Sequence, residues 1–334
     1  MLRLLVITLV MLLSGCSVLD SSRNPAEISG TTEPAAAPAP EQPAVAAPIK
    51  SVPAPAHSRI MILLSDDIPS YVAIAEQITQ RGSQHDYMTV NLDRRRSLDA
   101  TALEDVSAFN PEQIVAIGLN AARAGQHFTD TPMVFCQVFN FADHDLLSAT
   151  SNGVKLLPPF SLQFELWKDL YPELQTTGLI IGSGQESLVA EIQQAAAEHN
   201  IKVLAPTVES DKDALFTFKR LTPKIQGFLL LPDNRVLSPK VLRSMLAYGK
   251  KHGTQIVVFN PQLLQHGADI SFSSRETDIA DSVLRVIKTT QERQPTRPSR
   301  MTALTTLRAE ISPDVAKALS TDTTEKLARY LDTE

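Results

Sequence analysis

What the chain has little of narrows its task first. Its 334 residues hold 31 Lys and Arg against 37 Asp and Glu, and the sequence pI is near 5.7. There is no basic excess to neutralise phosphates, which argues against nucleic acid as a partner. One Trp and five Tyr accompany twelve Phe, a set that suits core filling more than base stacking. Two cysteines, Cys16 and Cys136, are too few for a disulfide framework. The motifs of common hydrolytic and metal chemistry are missing too: no Gly-x-Ser-x-Gly elbow, no His-Glu-x-x-His, no Walker loop, no Cys-x-x-Cys pair and no EF-hand loop. Asp143-His144-Asp145 reads as a solvated loop, because adjacent residues rarely converge on one ion, and Arg94-Arg95-Arg96 reads as an exposed turn. The expectation is a protein that is not an enzyme and holds no cofactor and no metal.

The N-terminus carries a more specific pattern. Arg3 precedes an apolar stretch, Leu4 to Leu13, that is too short to span a bilayer and ends in small residues, as an export signal over residues 1–15 does. Leu13-Ser14-Gly15-Cys16 resembles the lipobox of bacterial lipoproteins, which implies cleavage before Cys16 and acylation of its thiol and new amine. More than one acyl chain, at about 0.8 kcal/mol per buried CH₂, makes a stable anchor in a lipid bilayer. Ser17, rather than Asp, after the cysteine points to the outer membrane if the source is Gram-negative. With Cys16 lipidated, Cys136 has no disulfide partner, and inside Met133-Val-Phe-Cys-Gln-Val-Phe139 it reads as a small buried hydrophobe. Residues 16–57, with Pro34, Pro38, Pro40, Pro43, Pro48, Pro53 and Pro55 and almost no large apolar side chain, cannot bury a core and form a tether. At about 3.1 Å per residue, roughly forty residues in polyproline form reach about 100 Å.

From Arg59 onward, buried strands and amphipathic helices alternate. Arg59-Ile-Met-Ile-Leu-Leu-Ser65 suits a strand covered on both faces, and Tyr71, Ile74, Ala75 and Ile78 then recur at helical spacing. Strands Tyr87 to Leu92, Gln113 to Ile117 and Met133 to Phe139 follow, with helices Ser97 to Phe109 and Leu119 to Phe128. Asn152 to Ser161 reads as a passage, after which the series starts afresh. It runs through strands Thr177 to Ile181, Ile201 to Val208, Gly227 to Leu231 and Gln255 to Phe259, each preceded by a helix. Ala268 to Phe272 is strand-like, Ile279, Val283, Val286 and Ile287 mark one face of a helix, and a Pro-rich break precedes a strand Met301 to Leu307. Short loops between alternating elements predict an α/β fold of two Rossmann-like lobes with parallel sheets. A chain of this length also exceeds one core.

Gly182-Ser183-Gly184-Gln185-Glu186-Ser187 follows a strand and opens a helix, with Glu209 after the next strand, as in a dinucleotide fingerprint. Ser187 stands where the third glycine belongs, and the turn reads equally as free N–H groups for a ligand carboxylate or phosphate.

Taken in order, Ile114-Val-Ala-Ile-Gly-Leu-Asn-Ala-Ala122, Thr131-Pro-Met-Val-Phe135, Asn152-Gly-Val154, Tyr171-Pro172 before Gly178-Leu-Ile-Ile181, Leu231-Pro-Asp-Asn234, and Ile256-Val-Val-Phe259 before Gly267-Ala268 resemble the ABC transporter substrate-binding-protein-like family. That group is related to tryptophan/tyrosine-binding periplasmic lipoproteins and has the type I periplasmic binding fold. The resemblance implies two lobes joined by a multi-crossing hinge. Residues 58–155 plus 266–293 would form lobe 1, and 156–265 plus 294–334 lobe 2, with crossings near Gln265 and Gln294.

It also implies a small polar or amino-acid-like ligand held without catalysis by Ser65, Asp66, Gly118, Asn120, Gln137, Ser183, Glu186, Asp233, Asn234 and Asn260. Phe139, Phe141 or Phe160 would wall an apolar part. Two positions depart from the family pattern: Gly118-Leu119 replaces Gly-Thr, and Asn140-Phe141-Ala142-Asp143 replaces Asp-Pro. The implied setting is the bacterial envelope, anchored through Cys16 and facing the periplasm, with an ABC permease or another envelope protein as partner. The alternative is an envelope interaction or sensor lipoprotein of the same fold with no transported ligand.

Overall fold

A computed structural model describes residues 57–291 and 300–319, together with residues 325, 327, 328 and 330. Cys16, the export signal, the tether up to residue 56 and the Pro-rich break at 292–299 lie outside the described residues.

The first sheet is built around β1 (Arg59–Leu64), whose apolar run is buried because helices cover both faces of a parallel sheet. β1 pairs in parallel with β2 (Asp86–Asn91) and β3 (Gln113–Ile117), so that Ile62 lies opposite both Thr89 and Val115. β4 (Met133–Cys136) and β5 (Ser151–Val154) extend the sheet beyond β3. The connecting helices are α1 (Pro69–Arg81), α2 (Ala100–Phe109) and α3 (Leu119–Gly125). The Asp99 side chain accepts from the Ala102 N–H, which starts α2 at Ala100, later than the expected Ser97. The passage read from Asn152 begins as strand β5.

The second sheet follows the same logic. It is reached through α4 (Phe160–Leu170), and the chain then runs β6 (Thr176–Gly178), β7 (Ile181–Gly182), α5 (Glu186–Ala197), β8 (Lys202–Leu204), β9 (Thr207–Val208), α6 (Asp211–Leu221), β10 (Gly227–Leu229), α7 (Pro239–His252), β11 (Gln255–Val258) and β12 (Ile270–Ser273). Two expected strands are each broken in two. Pro206 has no N–H for a ladder, so the run from Ile201 splits into β8 and β9. β9 pairs only with β7, as a separate two-stranded ribbon. Ser238 caps α7 ahead of Pro239 at its first turn. Trp167 is wholly buried in this lobe, stacked near Phe164, with its indole N–H donating to Gln255 Oε1 at 3.0 Å.

After β12 come α8 (Glu276–Gln291), β13 (Met301–Thr302), β14 (Arg308–Ile311) and the short α9 (Pro313–Ala318). The sheet orders are β13-β5-β4-β3-β1-β2 and β14-β12-β11-β10-β6-β8, parallel throughout except β14 against β12. This is the expected two-sheet architecture. The crossings, however, sit elsewhere than near Gln265 and Gln294. β12 joins the second sheet, where Ile270 and Phe272 enter a core with Leu307 and Ala309, and only then does α8 return to pack on α1 and the first core. The expected strand from Met301 to Leu307 breaks after Thr302. Its start pairs with β5 in the first sheet, while β14 lines the edge of the second. Among the described residues the chain passes between the lobes three times, between Val154 and Phe160, between Ser273 and Glu276, and between Thr302 and Arg308.

Candidate functional site

In open parallel sheets, ligand-binding loops lie beyond the strand carboxyl ends, and in the first sheet the strand order reverses between β1 and β3. Ser65 and Gly118 stand at that point. Ser65 Oγ accepts the Ala121 N–H at 2.9 Å and so satisfies the start of α3. Gly118 has φ +88°, and a Cβ there would come within 2.6 Å of Ser65 Oγ, so the pair is a packed structural unit. Asp66, nearly buried, receives Arg94 Nε at 2.6 Å, and Asn120 Nδ2 donates to the Arg94 carbonyl at 3.1 Å. The Arg94 hydrogen bond holds the Asp66 carboxyl below its ordinary range, with the Asp67 N–H adding to the effect. Arg94 lies in the expected exposed turn after β2, and its side chain is engaged there by Asp66.

A second cluster joins the lobes. Asp233, 1% exposed beyond β10, accepts Arg235 Nε at 2.8 Å and Nη2 at 2.7 Å, and the Gly182 N–H at 2.9 Å. From the first lobe, Asn140 Nδ2 donates to Asp233 Oδ1 at 3.1 Å and to Asn234 Oδ1 at 3.3 Å. Arg235 Nη1 reaches Asp143 Oδ2 at 2.9 Å and the Ser183 carbonyl at 3.0 Å. Burial alone would raise the Asp233 carboxyl, but the donors from Arg235, Gly182 and Asn140 outweigh it and leave the group below its ordinary value. This geometry also changes the reading of the Gly182 turn. One N–H of the fingerprint is occupied by a carboxylate, whose charge repels a pyrophosphate.

Of the ten expected ligand residues, Ser65, Asp66, Gly118 and Asn120 meet in one cluster, and Ser183, Asp233 and Asn234 in the other. Glu186 accepts the Gly184 N–H at 3.3 Å beside the second. Asn260 caps the turn at Pro261–His266 through the Gln262 N–H. Gln137, just past β4, holds a left-handed backbone with φ +59°, uncommon for a non-glycine residue and a form of strain that gathers at functional sites. Sequence reasoning missed Asn140, Asp143, Arg94 and Arg235. The spacing of Arg235 two residues past Asp233 was the available signal.

Beside the second cluster lies a cavity of about 530 Å³ walled by both lobes and by the first and third crossings. Phe139, Phe141 and Phe160, the expected apolar wall, all line it, and none of the ten polar residues does. Lys155, from the first crossing, contacts both carboxylate oxygens of Glu191 on α5 at 2.7 Å. Among the described residues no group of three or more His, Cys, Asp or Glu is placed to hold a metal, and no helix is long and apolar enough to cross a membrane.

A family model described as ABC transporter substrate binding protein matches residues 74–330. No curated protein matches the chain in sequence. Among solved structures, the chain is similar to the ABC domain in complex with L-Trp from Streptococcus pneumonia, at 17% identity over 83% of this chain and 100% of that one, with a TM-score of 0.55. It is similar to a conserved domain protein from Vibrio cholerae, at 17% identity over 81% and 98% of the two chains, with a TM-score of 0.53. A ligand-free, open substrate binding protein with adhesive properties from Clostridium difficile matches at 14% identity over 78% and 94%, with a TM-score of 0.59. At such identities the likeness is one of fold, the type I periplasmic binding arrangement.

Proposed function

This chain belongs to the ABC transporter substrate binding protein family, and from that premise we propose that it is a lipid-anchored, non-catalytic receptor that holds a small polar or amino-acid-like solute between its lobes. The observation that carries the reading is the meeting of polar groups from both lobes at the strand ends, with Asn140 and Asp143 on one side and Asp233, Asn234 and Arg235 on the other. Ser65, Asp66, Gly118, Asn120, Gln137, Ser183, Glu186 and Asn260 remain candidates for the rest of the polar lining. Contacts made only when the lobes are together would drive hinge closure at the three crossings. Cys16 would carry the acyl chains and hold the domain in the bacterial envelope, at the outer membrane by the Ser17 rule, with an ABC permease as partner.

Calorimetry and thermal shift of the full-length chain in detergent, against amino acids, peptides, nucleosides, sugars and anions, test the reading. A ligand at a hundred times its Kd should add about 2.7 kcal/mol of stability. No saturable binding by any class would sink it. The anchor is tested separately: Cys16→Ser should abolish acyl labelling and release the protein from the membrane fraction.

A second reading is an envelope interaction lipoprotein. It is favoured by the pairing of Asp66 and Asp233 with arginines of their own chain, which leaves these carboxylates already satisfied. Cross-linked envelopes would then yield a defined partner, and recovery of the monomer alone would rule this out.

A further inference from the structure

The 530 Å³ cavity falls in the size range of metabolite pockets, far larger than a single ion needs. One wall is apolar and ring-bearing, with Phe139, Phe141 and Phe160 from the first lobe and the start of α4. The facing wall is one side of α5, where Ser187, Glu191, Gln194 and Glu198 recur at helical spacing. Glu191 and Glu198 stand about 10 Å apart along the helix, seven residues at 1.5 Å each.

The charges are unbalanced. Among the described residues Lys155 is the one basic side chain lining the cavity, and it is taken by Glu191. The Glu198 carboxylate makes no hydrogen bond or ion pair with any described residue, and the Gln194 side chain beside it is equally unengaged; their backbones meet only in the last turn of α5. The positive end of α5 also abuts the cavity, but it already carries Glu186. Among the described residues, an anionic solute entering here would meet a wall of net negative charge with no spare cation.

We propose that this cavity takes an amphipathic cation, its ring body against Phe139, Phe141 and Phe160 and its ammonium group against Glu198. The proposal rests on the reading that the lobes bind a solute, and it narrows the class to apolar-bodied amines without a free carboxylate. Lys155, an alkylammonium on Glu191, already displays the head-group contact that such a ligand would repeat about two turns further on.

The test is calorimetry of the full-length chain in detergent with three compounds sharing one ring system: naphthylethylamine, naphthylalanine and naphthylpropionate. The amine should bind at least about tenfold more tightly than the acid, because attraction to a carboxylate is replaced by repulsion. Glu198→Gln, an exposed change that leaves the fold intact, should weaken the amine about fivefold and leave the acid no weaker, since it removes a repulsion. Equal or tighter binding of the zwitterion or the acid would overturn the proposal, as would an amine affinity insensitive to Glu198→Gln. Binding of sugars, nucleosides or other polar solutes with none of the amine would overturn it while leaving the solute-receptor reading in place. Failure of every compound of every class would remove both.

Discussion

At the scale of single residues, one guanidinium bridges the two lobes beside the Asn140 contacts. Arg235 binds the nearly inaccessible Asp233 through two nitrogens and Asp143 of the other lobe through a third. Arg235→Ala leaves that buried carboxylate short of its strongest donor and should cost about 2–3 kcal/mol in urea unfolding, and Arg235→Lys should recover only part, lacking the fork. The pH dependence follows. Because the folded Asp233 carboxyl lies below its ordinary 3.8, its contribution is complete above that value and is lost as pH falls through the lower, folded value. Urea midpoints at neutral pH and below 3.8 should show this acid-dependent loss, and it should be smaller in Asp233→Asn, where the other lowered carboxyls, Asp66 among them, still contribute. Cys136 behaves differently: burial pushes its thiol up to about 12, so iodoacetamide should modify it in urea and leave it untouched in the native protein. Its character was legible from the apolar run around it. Arg235 was only half legible: Asp233 two residues before it was a local signal, whereas its contact with Asp143, 92 positions away, no local pattern announces.

At the scale of elements, periodicity found nearly every strand and helix but not the sheet each would join. A strand as short as β12 or β13 has the same pattern on either side of the hinge, and its place is settled by non-local pairing, Ile270 against Ile311 and Met301 against Gly153. The splitting of the run from Ile201 was announced by Pro206, a signal present in the sequence and underused. α4 owes its place to Trp167, which packs in the second core and holds Gln255 on β11. Trp167→Ala should cost about 3–5 kcal/mol. As the sole Trp, it should emit at short wavelength until the second lobe unfolds, whatever happens to the first. A red shift that tracked loss of the first lobe alone would contradict this placement.

At the scale of the whole molecule, two similar sheets meet through polar groups on one side and an aromatic-walled space on the other. Spin labels at the exposed Leu103→Cys and Phe216→Cys positions, one in each lobe, should report a longer and broader distance when Arg235→Ala is added, and a ligand should narrow it. The two-lobed plan was legible because the strand and helix series restarts, while the internal neutralisation of the cleft was not. That neutralisation is a property of the assembled lobes. The triple passage between them also bears on the order in which the molecule can be made. α8 and β13, which finish the first lobe, lie beyond every strand of the second except its antiparallel edge β14. During vectorial synthesis the lobe that begins first is therefore completed late. Until residues past 273 emerge, its face that α8 will cover stays bare, even though five of its six strands, β1 to β5, are already present by Val154.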